Sequence, residues 1–81
     1  MQVERRSYEV SIIEKTYPVK GDCNVSERVA EVFAVVQASL LDAAVDAGKL
    51  RAAEIYDEML RLREPDEDNR FYSVTVSLRD Y

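Results

Sequence analysis

The chain reads as an α+β fold in the order strand–helix–helix–strand. The sequence predicts a two-stranded antiparallel sheet packed on a helical hairpin, with the sheet extended by dimerisation. Three observations lead there. Arg6–Val19 and Arg70–Tyr81 alternate polar and apolar side chains with the period of two that marks half-buried strands. Between them, residues 25–63 hold no proline and one glycine, Gly48, with apolar side chains recurring at helical spacing. Only two glycines and two prolines occur in 81 residues, so turns are few and regular elements long.

In the first strand Tyr8, Val10 and Ile12 alternate with Glu9 and Ser11. The phase slips at Ile12–Ile13, which predicts a bulge, and the odd positions Ile13, Tyr17 and Val19 then turn to the core. Pro18 removes a ladder donor and marks an edge or the strand's exit. Gly21 and Asp22 supply a turn, and Asn24-Val-Ser-Glu27 has the spacing of a helix capping box. The first helix then runs over Val25–Ala47. Val25, Val29, Val32, Phe33, Val36, Leu40 and Ala43 share one face, and Ala30, Ala34, Ala38, Leu41 and Val45 line the opposite one. A helix apolar on two sides needs cover on both. Gly48 fits a left-handed C-cap leading into a second helix, Leu50–Arg63; a single helix running through Gly48 is the competing reading. The second helix buries Ala52, Ala53, Ile55, Tyr56, Met59, Leu60 and Leu62, exposes Arg51, Glu54, Asp57, Glu58 and Arg61, and stops at Pro65. In the last strand Tyr72, Val74, Val76 and Leu78 face one way, with Phe71, Ser73, Thr75, Ser77 and Arg79 on the other side.

Within this stretch Leu40–Asp66 resembles one unit of a pentatricopeptide or tetratricopeptide repeat, through the Gly48 turn, Ala53 at the helix crossing and Pro65-Asp66 after the second helix. The resemblance covers about a third of the chain and implies a helical hairpin. Such arrays need about three units to bury a core. No second unit follows, so no RNA-binding role is carried over.

Residues 1–81 make one domain, of a size that buries only about 60% of its unfolded surface. A hydrophobic content of 47% excludes disorder. Val29–Val45 is interrupted by Glu31, Gln37 and Asp42, which argues against a membrane span. The charged stretch Met1–Tyr8 does not resemble a signal peptide, and the single cysteine suits a reducing compartment, so a cytoplasmic location is expected. Net charge is −5, unevenly distributed. From Asp22 to Asp68 there are twelve acids against five bases, whereas the two ends together carry four acids and six bases.

Enzymatic chemistry finds no foothold. With no histidine, no Ser–His or Cys–His pair exists. Cys23 has Asp22 beside it and no base in view, and reads as an inert thiol. No catalytic residue is expected. Glu64, Asp66, Glu67 and Asp68 cluster carboxylates without the glycine and closing glutamate of a calcium loop, so no metal is expected. Neither glycine lies in a phosphate-binding motif, and no cofactor is expected. Arg5, Arg6, Tyr8, Lys15, Tyr17, Arg70, Phe71, Arg79 and Tyr81 would place cations and aromatics on the strands. The neighbouring acids and a pI near 4.6 nevertheless disfavour nucleic acid.

These readings converge on a non-enzymatic protein-interaction module of the cytoplasm, a homodimer whose interface comprises Ala34, Ala38, Leu41, Val45 and an exposed strand edge. Packing of those four residues within the chain is the equal alternative. A second reading is an acidic inhibitor of the phage or mobile-element type. It would present Glu54, Asp57, Glu58, Glu64, Asp66, Glu67 and Asp68 to a basic nucleic-acid-binding surface of a target protein. An enzyme using carboxylates or tyrosines in a dimer cleft is the third.

Overall fold

A computed structural model describes residues 6–18, 24–65 and 67–79. The elements are β1 (Ser7–Tyr17), β2 (Ser26–Val36), α1 (Leu41–Leu62) and β3 (Asn69–Arg79), with a 3₁₀ turn at Ala38–Leu40 leading into α1. The three strands form one antiparallel sheet in the order β2-β1-β3. The expected two-stranded sheet on a helical hairpin is therefore incorrect. The fold is still α+β, but the described residues form three strands and one α-helix.

The error lies in residues 25–36, expected to begin a helix and found in the extended segment that forms β2. Five of these twelve residues are valine. Branching at Cβ stiffens χ1, disfavouring a helix and fitting a pleated surface. The helical look of the pattern comes from two bulges. Opposite β1, Val10 pairs with Ala34 and Ser11 with Val32, leaving Phe33 without a partner; Ile12 pairs with Glu31 and Ile13 with Val29, leaving Ala30 without one. Each extra residue shifts the period-two phase, so the apolar spacing drifts from two towards three. Asn24 and Glu27 accordingly precede and open a strand and cap no helix. The bulge expected at Ile12–Ile13 does coincide with a register shift, but the surplus residue belongs to β2. Strand β1 keeps an unbroken register with β3, and Ile13 turns away from the core instead of into it. Strand β1 ends at Tyr17, before Pro18. Val19, Gly21, Asp22 and Cys23 lie outside the described residues.

Helix α1 passes straight through Gly48, so no C-cap forms there and the repeat-like hairpin is absent. Leu41, Ala44, Val45, Gly48, Ala52, Ile55, Tyr56 and Met59 are its buried or half-buried apolar positions and recur at three- and four-residue intervals. This is one continuous stripe along a single helix. Gly48 is needed for space. A Cβ there would lie 3.3 Å from Val10 Cγ1, 3.5 Å from Val74 Cγ2 and 3.7 Å from Phe33 Cδ2, so the helix backbone rests directly on the sheet. Asp42 sits favourably in the first turn, at the positive end of the helix dipole. At the other end Arg63 is extended, and Pro65 lies in a turn closed by the Glu67 amide donating to the Glu64 carbonyl at 3.1 Å.

Pairing register and these contacts define two sheet faces. Tyr8, Val10, Ile12 and Glu14 of β1 look towards α1, together with their partners Tyr72, Val74, Val76 and Leu78 of β3. Ser7, Glu9, Ser11, Ile13, Lys15 and Tyr17 look the other way. The fully buried apolar core among the described residues is Val10, Ile12 and Ala52, all on the helix side.

Because Val10 sits in the central strand with no exposed surface, it has little room to yield. Gly48→Leu is expected to overpack this contact and lower stability by about 1–3 kcal/mol in urea denaturation. Leu50→Ala, on the exposed side of the same helix, should shift it by less than about 0.5 kcal/mol.

Candidate functional site

Two features qualify as sites: a buried carboxylate on the helix-facing side of the sheet, and the uncovered side itself. Glu14 is 6% exposed at the centre of the sheet. Arg28, its partner across β2, donates from Nε to Oε1 at 2.8 Å, and the Tyr72 hydroxyl from β3 donates to Oε2 at 2.7 Å. Arg28's hydrogen bond, helped by Tyr72 and the field of Arg70, outweighs burial and holds the Glu14 carboxyl below its ordinary range. Burial first, and then the bond to Glu14, push Tyr72 up to about 12. A general acid or base works best with a pKa near the operating pH. Here the carboxylate is fixed ionised and the phenol fixed protonated, so the trio suits a cross-strand latch better than proton transfer. Arg51 makes a second link, donating from Nε and Nη2 to the two carboxylate oxygens of Glu31, each at 3.1 Å, which ties α1 to β2.

Beside the latch, α1 and β3 enclose an open groove of about 300 Å³. It is bordered by Lys49, Ala53, Tyr56 and Phe71; Phe71 stacks on Tyr56 at 6.0 Å and meets Tyr17 edge-on at 5.5 Å. No cluster of three or more metal-ligating side chains occurs among the described residues, and no helix there is long and apolar enough to cross a membrane.

The uncovered side is built from alternate residues of all three strands. Val29, Val32 and Val35 stand opposite Ile13, Ser11 and Glu9 on the side away from α1, and each valine is more than 40% exposed. Ile13 lies beside them, half-buried, with Tyr17 at one end; Phe71 holds an outward register position in β3, but its ring stacks on Tyr56 of α1. Ser73, Thr75 and Ser77 of β3 border the stripe. Charges on this face come in opposite signs: Arg79 bridges Glu9 at 2.6 Å, and Lys15 stands across from Glu27.

The interface residues expected from the sequence do not form one stripe. Ala34 lies in β2, Ala38 in the 3₁₀ turn, and Leu41 and Val45 begin α1. Ala34, Leu41 and Val45 are half-buried and Ala38 is exposed. Glu54, Asp57 and Glu58 are exposed on α1, with Glu54 paired to Arg51 at 3.3 Å. Glu64, Glu67 and Asp68 follow in the loop, where Arg63 Nη2 donates to the Glu67 carbonyl at 2.9 Å. Asp66 lies outside the described residues. Of the nucleic-acid candidates, Arg5 and Tyr81 also lie outside them, Tyr8 faces the helix, and Arg79 is engaged with Glu9. The valines of β2 were visible in the sequence, but they read as one face of a helix. A count of β-branched residues would have found them.

Compared with known proteins, the chain matches no family model, no curated protein and no solved structure.

The latch has a pH signature. Glu14's folded pKa is depressed, so its stabilisation is present above its ordinary value of 4.5 and is lost as pH falls through the lower folded value. Tyr72's folded pKa is raised, so its contribution is present below 10 and is lost as pH rises towards about 12. Urea denaturation across pH should show both flanks. Tyr72→Phe should remove the alkaline flank and lower stability at pH 7 by about 1–2 kcal/mol. Glu14→Gln should flatten the acid flank.

Proposed function

We propose that this chain is a non-enzymatic protein-binding module that engages its partner through the sheet face opposite α1. The observation that carries this reading is the row Val29, Val32 and Val35, exposed on one sheet face with Ile13 beside it. Isolated surface valines are common, but an aligned row of three beside Ile13 makes a contiguous apolar patch of the kind that binds other proteins. The absence of histidine and the fixed protonation of Glu14 and Tyr72 support a non-catalytic role. A cytoplasmic setting agrees with the single cysteine.

The acidic-inhibitor reading gains less. Its carboxylates are divided between α1 and the following loop, with Arg51, Arg61 and Arg63 interleaved and Glu54 already paired. Ionic strength separates the two readings. An acidic mimic releases its target steeply with salt, whereas an electrically balanced apolar face responds weakly.

A photo-crosslinking side chain placed at Val32, with a control at Glu58 on the exposed side of α1, tests the reading in the source cell. Discrete protein adducts from position 32 and none from 58 are expected. No adduct at 32, or equal yields at both positions, overturns it.

A further inference from the structure

We infer that the occupant of the uncovered sheet face is a second copy of this chain, packed face to face so that two sheets form the centre and the two α1 helices lie outside. This rests on the reading of that face as a docking surface and adds the identity and geometry of the partner.

Charge is the first argument and favours a second copy on this face. Residues 41–68, which comprise α1 and the loop behind it, hold nine acids against four bases. The uncovered face carries Glu9 and Glu27 against Lys15 and Arg79, a balance of zero. Two copies of a chain with net charge −5 repel unless they meet through a neutral surface with their acidic layers apart. Face-to-face packing meets that condition. An arrangement that brought the helices together would not.

Backbone geometry then separates face from edge. Strand β2 is an edge of the sheet, but its surplus residues Phe33 and Ala30 interrupt the regular spacing of its outward amides and carbonyls. Bulges of this kind blunt an edge against continuation by another strand. They leave Val29, Val32 and Val35 aligned on the sheet face. Across a two-fold axis these valines pack against their counterparts, with Ser73, Thr75 and Ser77 at the rim.

Sedimentation equilibrium of the full chain tests this, at micromolar concentration and in both 50 and 500 mM salt. A dimer at both salt concentrations is expected. Val32→Lys should raise its dissociation constant by about 30-fold or more. Glu58→Lys should leave it unchanged, and both variants should keep the wild-type circular dichroism spectrum. If Val32→Lys fails to fold, Val32→Thr replaces it, with a smaller rise in the same direction. A monomeric wild type overturns the inference, as does a dimer indifferent to substitution at Val32. Hydrogen exchange separates the geometries: protection of the outward amides of β2, or of β3, the other edge of the sheet, would establish edge pairing and likewise overturn it. Failure here does not erase the reading on which it rests. Adducts between Val32 and a different protein, alongside a monomeric chain, would leave the docking face intact and remove only the second copy.

Discussion

One helix can cover one side of a sheet, and the described residues hold one α-helix. The arrangement therefore turns on the contact between α1 and β1, where Gly48 lets the helix backbone settle onto Val10 and Val74. Strand β1 is the only one flanked by a strand on either side, and its alternation assigns every residue to a side. Val10 and Ile12 become the core because they face α1; Ile13, as apolar as Ile12, stays half-buried because it does not. Facing α1 is not sufficient on its own: Val76 and Leu78 face it from the β3 edge and stay exposed, whereas small Ser11, on the other side of central β1, is buried between its neighbours. The polar contacts follow the same division. Glu14, Arg28 and Tyr72 lock three strands together on the helix side, and Glu9 and Arg79 tie β1 to β3 on the other.

This dependence on face explains which parts of the fold were legible in the sequence. Strand β3 alternates polar and apolar residues, and β1 does so as far as Ile12, so a period-two reading locates both. The α1 segment was recognised as helical in both its halves but divided at Gly48, because glycine is read first as a terminator. Register within the helix argues otherwise: Val45, Gly48 and Ala52 are spaced by three and four, so the apolar stripe keeps its phase through the glycine. A cap would end the phase. A close contact preserves it, with the smallest side chain at the tightest point.

The β2 segment was illegible for a different reason. Two bulges within one strand disturb the alternation so that neither a period of two nor one of 3.6 fits throughout, and the longer repeat absorbs the drift more easily. Composition remained informative where periodicity failed, since valine-rich segments without leucine favour strands. The expected site inherited the mistake. Ala34, Ala38, Leu41 and Val45 form a stripe only if residues 25–47 make a single helix; in the fold they are divided among three elements. The apolar excess expected of residues 25–47 appears in the fold as the exposed Val25, Val29, Val32, Val35 and Leu40. For Val29, Val32 and Val35 the location changed from a helix to a sheet face.

The bulges also give β2 two roles that a regular strand could not combine. An uninterrupted strand of this composition would place alternate residues strictly on opposite sides and offer a continuous ladder of amides at its outer edge. The surplus Phe33 instead contributes a ring to the helix contact beside Gly48, while Val32 and Val35 on either side of it still face away. The same irregularity makes the outer edge a poor template for further strands. A surface can be apolar and still resist runaway association if its geometry permits one closed contact and discourages an open series. The broad sheet face, balanced in charge and bounded by hydroxyls, permits the former. The kinked edge and the acidic helix oppose the latter.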